Sequence, residues 1–478
     1  MENELESRVL TSAKKKILLL IALAASSMMV FLDESAVGVT LPSIQHEIGL
    51  SSLGIEWVMN AFLLCLALFV LAGGRMADYV GHRRVFLMGM TIFLIASLLC
   101  GIAQQQDWLI AARALQGIGA SLLVPTGMTI INISFPTSER GTAMGTVVGL
   151  SSLCMAGGPF IGGVLAEFLS WRWIFLLNIP LAIISFIFIK LAIPHDIPPH
   201  ASCRFDKLGL ISFAIGLAAL IIGLTAATDS GWLSPLALSL FLVAVLGLVV
   251  FVIIETHTQY PLINFALFRD KPFLAGNIIL FCGQQSVISM IFWAIWLQKS
   301  IGFSPLIAGL ALLPTTGPII IMSRIGGVWL DKWGPRLPLI LGTGLILIGT
   351  FWIAFFAGKN SYEWIVFGLL CCGIGTPLLM PTAITTVLAS APANQHGMAA
   401  GTLNTLRQIG AAFGLAVIGA VITSHELAAQ GVTQTYAEIY THAFRYGIFA
   451  SGIFALVAFI FALTCLPKRL MFVDITIS

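Results

Sequence analysis

Two stretches of this chain repeat one pattern, GGRMADYVGHRR at residues 73–84 and GGVWLDKWGPR at residues 326–336. Four positions recur 253 places later, where Gly74, Asp78, Gly81 and Arg83 become Gly327, Asp331, Gly334 and Arg336. Further along in each copy, QGIGASLLVP at 116–125 matches CGIGTPLLMP at 372–381 with an offset of 256. Matches in the same order at nearly one offset indicate an internal duplication, so that two parts of the chain are copies of one unit.

The composition outside these stretches is that of a membrane protein. Charged residues make up 9% of the chain and hydrophobic residues 58%, with a mean hydropathy of +0.99. A soluble domain carries about 25% charged residues. A chain of 478 residues cannot bury so much apolar surface in its own core, so lipid must cover it. The net charge of +3 gives no basis for expecting nucleic acid as a partner.

We predict fourteen membrane-spanning helices, because each needs about 20 mostly apolar residues. The predicted spans are 17–38, 55–75, 85–103, 108–130, 141–165, 172–193, 207–227, 236–254, 273–296, 306–328, 337–357, 362–388, 396–423 and 443–466. The repeat offset then equals eight spans, because the loop after span 2 matches the loop after span 10. Spans 1–6 and 9–14 are therefore predicted to be parallel six-helix bundles, with spans 7 and 8 inserted between them. The predicted domains are residues 1–194, 195–272 and 273–478.

The distribution of basic residues predicts the orientation. With the N-terminus inside, eighteen Lys and Arg lie at inner ends of spans and four at outer ends. This bias is the positive-inside rule, and a miscounted span would scramble it. We therefore expect a cytoplasmic (inner) membrane protein with both termini in the cytoplasm. Interfacial belt positions are predicted for five tryptophans, namely Trp108, Trp171, Trp173, Trp232 and Trp364.

Only four charged residues lie well inside predicted spans. They are Asp33, Glu34, Arg113 and Arg407. A charge at mid-membrane costs about 2.5–3.5 kcal/mol on insertion scales, so each is a candidate functional residue. Spans 1 and 4 enter the membrane from opposite sides, so Asp33 and Arg113 could lie at the same depth in it. Glu34 points about 100° away from Asp33 around the helix. For Asp33 the alternative is a carboxylate wetted at the outer interface, and for Arg113 a structural tether to backbone carbonyls.

Several motifs resemble those of the major facilitator superfamily. GGRMADYVGHRR resembles the signature of the loop after span 2, LIAARALQGIGAS at 109–121 the span 4 motif, and AGGPFIGG at 156–163 the span 5 motif of antiporters. Similarity to the fourteen-span drug:proton antiporters is carried by LDESAVGVTLP (32–42), WRWIFLLNIP (171–180) and NTLRQIG (404–410). Ser35 and Gly38 depart from this pattern, which usually has Thr and Asn there.

The resemblance implies an all-α major facilitator fold and a role for each motif. Proton coupling is assigned to Asp33, Arg113 and, as a neighbouring carboxylate, Glu34. The loop motif implies a conformational latch made by Gly74, Asp78, Gly81, Arg83 and Asp331. Close packing at a seam is assigned to the span 5 residues Gly157, Gly158, Pro159, Gly162 and Gly163, where Pro159 also removes a backbone donor. Simple topology-setting and packing roles are the alternatives.

Polar residues in spans 9 and 13 are candidates for a substrate cavity. They are Arg407, Asn404, Gln408, Gln284, Gln285 and Trp293. Polar groups inside a span usually face protein or a cavity, so core hydrogen bonding is the alternative.

We expect a proton-coupled exporter of amphipathic toxic compounds that works by alternating access, as a monomer. The alternatives are a dedicated exporter of a metabolite (siderophore, peptide or amino acid) and a non-transporting membrane sensor. The sequence contains no GxxxxGK[ST], HExxH or GxSxG motif, so we expect no enzyme activity, no metal site and no cofactor, with the proton gradient as the energy source. The expected partners are a small-molecule substrate, protons and lipid.

Overall fold

The computed structural model describes residues 12–193, 206–258, 261–359, 361–392, 395–428 and 435–466. Within these ranges the secondary structure is helical, without strands. Fourteen helical segments among the described residues are long and apolar enough to cross a membrane, which confirms the predicted count and positions.

The first six spans follow one another with short connections. Their helices are Ala13–Ile48, Ser52–Val80, His82–Gly101, Gln106–Ser134 and Thr137–Phe168 for spans 1–5, then Arg172–Leu176 and Asn178–Ala192 for span 6. Spans 7 and 8 are Lys207–Ser230 and Pro235–His257. A short 3-10 helix, Phe265–Arg269, leads from them to span 9.

The later spans include one broken helix. Span 9 is Lys271–Lys299, and span 10 consists of Pro305–Ala311, Leu313–Thr316 and Ile319–Trp333. Spans 11–14 are Arg336–Phe356, Tyr362–Ala389, His396–Ala428 and Tyr436–Thr464, with a 3-10 turn at Ala357–Lys359 after span 11. Pro314 and Pro318 account for the breaks in span 10, because proline lacks the amide that continues a helix.

The chain divides into two compact units. The first comprises the described residues up to Ala214 together with Phe303–Ala311, and the second comprises 215–302 and 312–466. In the first unit span 1 packs on spans 5 and 6, and span 4 on spans 2 and 3. In the second, span 9 packs on spans 12, 13 and 14, and span 11 on spans 12 and 14.

Two glycines of the repeated loop end helices in both copies. Gly81 ends span 2 with φ 111°, and Gly334 ends span 10 with φ 77°. Only glycine adopts such positive φ values without strain. Their amides donate to Ala77 O at 3.0 Å and to Leu330 O at 2.9 Å, which satisfies carbonyls that the helix end leaves open.

The repeated GIG sequence brings helix backbones into contact in both copies. A Cβ added to Gly117 would lie 2.3 Å from Phe62 O, and one on Gly119 would lie 2.7 Å from Phe93 N. In the second copy, a Cβ added to the matching Gly373 would lie 2.4 Å from Pro314 O, and one added to Gly375 would lie 2.6 Å from Gly342 O. Any side chain would push these helices apart, so the repeat reflects helix crossing.

One predicted belt residue is in the interior. Trp171 is 2% exposed and its indole donates to Glu47 Oε2 at 2.7 Å, so its belt prediction was wrong. Arg172 ion-pairs with Glu47 and donates to Ala103 O at 3.0 Å, which ties the last residues of spans 1 and 3 to the start of span 6. The other four predicted belt tryptophans, Trp108, Trp173, Trp232 and Trp364, are between 44% and 50% exposed.

Candidate functional site

A buried ion pair lies in the interior of the first unit. Asp33 of span 1 pairs with Nη1 of Arg113 of span 4, and both side chains are 0% exposed. The surrounding runs of apolar residues make the two helices, and the helix packing then places both charges beyond the reach of solvent. A charge persists in such surroundings only when it is paired and hydrogen-bonded.

Three neutral polar side chains complete the surroundings of Asp33. Gln116 Nε2 donates to Asp33 Oδ1 at 2.9 Å and to Ser97 Oγ at 3.1 Å. Asn178 Nδ2 lies 3.4 Å from both the same Asp33 oxygen and Ser97 Oγ. Gln116, Ser97 and Asn178 are each 0% exposed, so spans 1, 3, 4 and 6 meet in one closed polar cluster. We call Asp33, Ser97, Arg113, Gln116 and Asn178 the charge cluster.

The guanidinium of Arg113 has its own set of partners. Its Nε donates to Val58 O at 2.9 Å, and Nη1 also donates to Gln116 Oε1 at 2.8 Å. Its Cζ lies 4.4 Å from the ring centroid of Phe62 and 5.8 Å from that of Phe175. Arg113 is therefore a tether to backbone, as the alternative interpretation of the sequence had it, and also the counter-ion of Asp33. Its role in proton coupling stays a prediction.

The charge cluster couples the charge of Asp33 to helix packing. An added proton would neutralise Asp33 and leave Arg113 without its counter-ion, which is strongly unfavourable in a buried site. The contacts of Arg113 on spans 2 and 4 must then rearrange, or water must enter. Glu34 is 9% exposed and also lies in the interior, one residue along the same helix.

The predicted latch is described only in part. Gly74 has room around it, since an added Cβ would be 3.7 Å from Pro125 Cβ, and Gly81 ends span 2 as described above. Arg83 is partly buried at the start of span 3. The side chains of Asp78 and Asp331 lie outside the described part of the structure, so the latch stays a prediction.

The span 5 motif makes close contacts on two sides within the first unit. A Cβ on Gly158 would lie 1.8 Å from Ser35 Oγ, and one on Gly162 would lie 2.6 Å from Ala36 O, so span 5 presses on span 1 two to three residues from Asp33.

The other side of the motif contacts the start of span 10. A Cβ added to Gly163 would lie 2.5 Å from Pro305 O, and one added to Gly309 would lie 2.3 Å from Pro159 O. Gly157 faces only Ile161 of its own helix, at 3.7 Å.

The cavity candidates of the second unit are mostly packed. Gln285 Nε2 donates to Gly410 O at 2.6 Å, and Asn404 Nδ2 donates to Ala400 O of its own helix at 3.0 Å. Trp293, Gln284 and Gln408 are 0%, 3% and 4% exposed, and Arg407 is partly buried. The structure thus places Gln285 at the crossing of spans 9 and 13.

The second copy has no counterpart of the charge cluster. Leu369 stands at the position that matches Arg113, and Cys372 at the one that matches Gln116, both at the offset of 256. Thr350, 253 residues after Ser97, places its hydroxyl 3.9 Å from Cys372 Sγ. Among the described residues, the matching location is therefore neutral at the positions of Arg113, Gln116 and Ser97.

Sequence reasoning missed Ser97, Gln116 and Asn178. Gln116 lies three residues after Arg113, which puts both on one helix face. Asn178 stands in the quoted WRWIFLLNIP stretch. Neutral polar residues are common in spans, so these three side chains did not stand out there as charges do.

The chain matches the family model described as Major Facilitator Superfamily over residues 23–415. It is 29% identical over 413 residues to the multidrug resistance protein Stp of Mycobacterium tuberculosis, which covers 86% of this chain and 76% of that protein. It is 28% identical over 406 residues to the tetracenomycin C resistance and export protein of Streptomyces glaucescens, which covers 85% of this chain and 76% of that protein. A crystal structure of a D-xylose-proton symporter superposes with a TM-score of 0.67 at 15% identity, over 96% of this chain and 99% of the symporter chain.

Proposed function

This chain belongs to the major facilitator superfamily, and on that premise we propose that it exports amphipathic toxic compounds in exchange for protons. The buried charge cluster around Asp33 carries the proposal, because a change in the protonation state of this carboxylate would change the contacts among four spans. The names of two relatives, a multidrug resistance protein and a resistance and export protein, support drug-like cargo.

In the proposed cycle Asp33 takes up a proton from the outer side and releases it towards the cytoplasm. Protonation frees Arg113 from its counter-ion, and the loss of that pairing shifts the balance between the two access states. Substrate and proton then bind in turn, since each access state is open to one side of the membrane only. The energy comes from the proton gradient, without a cofactor.

The membrane, its lipid and the orientation are part of the same proposal. The excess of Lys and Arg at one set of span ends supports a cytoplasmic membrane protein with both termini in the cytoplasm. The charge cluster is complete within a single chain, which supports a monomer as the working unit.

Ethidium efflux from vesicles tests the proposal directly. The purified chain in proteoliposomes should move ethidium against its gradient when a pH difference is imposed, and collapse of that difference should stop it. Asp33→Asn should lower gradient-driven efflux roughly tenfold, within the range of typical coupling free energies.

Glu47→Gln is the matched control. Glu47 is an ion-paired acid on the same helix, but it lies at the outer end and bonds to Trp171 and Arg172. Gradient-driven efflux should persist in this variant. Efflux that is indifferent to the pH difference would refute proton coupling, whereas full coupling in Asp33→Asn would remove only the role of that residue.

A further inference from the structure

Span 10 is divided between the two units. Its first segment, Pro305–Ala311, belongs to the first unit and packs on spans 5 and 1. Its other segments, Leu313–Thr316 and Ile319–Trp333, belong to the second unit and pack on span 12. The boundary between the units thus falls where the helix of span 10 is first interrupted.

A carboxylate near the end of span 5 holds the first segment in place. Glu167 Oε2 accepts a hydrogen bond from Leu306 N at 3.0 Å, and both residues belong to the first unit. The first amides of a helix have no partner within it and carry its positive end, so a negatively charged acceptor stabilises them. Together with the close backbone contacts of Gly163 and Gly309 described above, this hydrogen bond fixes the first segment on span 5.

Two prolines interrupt the hydrogen bonding between the segments of span 10. Pro314 and Pro318 have no amide hydrogen, so the carbonyl groups four residues before them, those of Leu310 and Pro314, receive no helical hydrogen bond from them. Thr315 N donates to Leu312 O at 2.9 Å, which is three residues back rather than four. Helices bend at such places, because fewer internal hydrogen bonds hold the backbone straight.

The part of span 10 after the first break is fixed to span 12. A Cβ added to Gly373 would lie 2.4 Å from Pro314 O and 2.7 Å from Thr315 O. One added to Gly326 would lie 3.3 Å from the side chain of Leu378. The two ends of span 10 are therefore each held by their own unit, and the weakly bonded stretch lies between them.

We propose that residues 312–318 are a hinge within span 10. When the access state changes, Pro305–Ala311 keeps its place on span 5, Ile319–Trp333 keeps its place on span 12, and the angle between the two segments changes. Glu167 is the positioning residue that keeps the first segment with span 5. The hinge rests on the proposed function, since it serves a transporter with two access states.

Three distances between spin labels test the hinge. The full chain, with its native cysteines replaced, receives labelled cysteines in pairs at positions that are 44–49% exposed: Val148 with Ile307, Val328 with Phe367, and Ile307 with Phe367. Distances are measured by pulsed electron paramagnetic resonance at acidic and at alkaline pH, with and without ethidium. The first two pairs each lie within one unit and should keep their distances. The third should change by about 3–4 Å, the effect of a bend of about 20° over a seven-residue segment.

Variants of Glu167 test its positioning role. Glu167→Gln keeps an oxygen that accepts from Leu306 N, so the distance between labels at Val148 and Ile307 should stay constant. Glu167→Leu removes the acceptor, so this distance distribution should broaden and ethidium efflux should fall. Glu139→Leu is the matched control, because Glu139 is an ion-paired acid at the other end of the same helix. It should leave the distance unchanged.

Repair of the break tests the hinge itself. Pro314→Ala with Pro318→Ala returns two amides to span 10 and favours a continuous helix. The change in distance between labels at Ile307 and Phe367 should then fall to less than half, and efflux should fall with it, without a lower melting temperature. An undiminished distance change in this variant would overturn the proposal.

Two results with the otherwise unaltered chain would also overturn it. One is a change between Val148 and Ile307 at a constant distance between Ile307 and Phe367, which would mean that span 10 moves as one rigid helix. The other is constancy of all three distances under every condition. Efflux that does not respond to the pH difference would refute proton coupling instead, so failure of the hinge and failure of the proposed function give different results.

Discussion

Arg113 shows how one residue joins stability to chemistry. It contacts Asp33, Gln116, Val58 and Phe62 at once, and none of its surface reaches solvent. Asp33 and Arg113 could be predicted from sequence because charges within apolar runs are costly and rare. Ser97 and Asn178 could not, since their importance depends on which helix faces meet.

We expect Arg113→Leu to destabilise the first unit by about 3–5 kcal/mol, because it removes the counter-ion of the buried Asp33. Leu is chosen because the matching residue of the second copy, Leu369, is buried inside a span. The double variant Asp33→Asn with Arg113→Leu should recover much of this loss, since no unpaired charge remains. The apparent melting temperature of the purified proteins measures both effects.

Melting of the double variant below Arg113→Leu would contradict this account. Neither variant should support gradient-driven ethidium efflux, whatever its stability, because the exchangeable carboxylate is absent or has lost its counter-ion.

At the scale of elements, span 5 combines a packed half and an open half. Gly158, Gly162 and Gly163 touch neighbouring backbone or side chains, whereas Gly145 and Gly149 meet nothing within 4 Å. Both sets are glycines of one helix, and their spacing alone does not reveal where neighbouring helices lie. The break of span 10 had a signal in Pro314 and Pro318.

Gly162→Ala should destabilise the chain by about 1–3 kcal/mol, the usual cost of overpacking, because the new Cβ would lie 2.6 Å from Ala36 O. Gly145→Ala on the same helix is the matched control. It should be neutral or slightly stabilising, since alanine favours helix and meets no neighbour there. Melting temperatures of the two variants compare them, and equal losses would show that the contact with span 1 is unimportant.

At the scale of the whole molecule, hydropathy and the repeat offset were sufficient to predict fourteen spans and their positions. Membrane spans need a fixed length of apolar residues, so their count follows from sequence better than their packing does. The assignment of Phe303–Ala311 to the first unit was outside the reach of sequence, because it depends on contacts of Gly163 and Gly309.

The two inserted spans preserve orientation only as a pair. Removal of residues 206–258, which contain spans 7 and 8, should leave a C-terminal green fluorescent protein fluorescent in the cytoplasm. Removal of span 8 alone should invert the following spans against their basic loops, so that the fusion loses fluorescence or is degraded. Bright fluorescence in both deletions would contradict the predicted topology.

The crossing of spans 3 and 4 also bears on ancestry. In the first copy a Cβ added to Gly89 would lie 2.9 Å from Gly119 O. In the second copy a Cβ added to the matching Gly342 would lie 2.9 Å from Gly375 O. Two glycines facing each other across two helices are an improbable coincidence to reach twice, so the crossing was present in the single ancestral gene before it duplicated. The described residues of the second copy hold no such twin of the charge cluster, so the two copies have diverged at this site since the duplication.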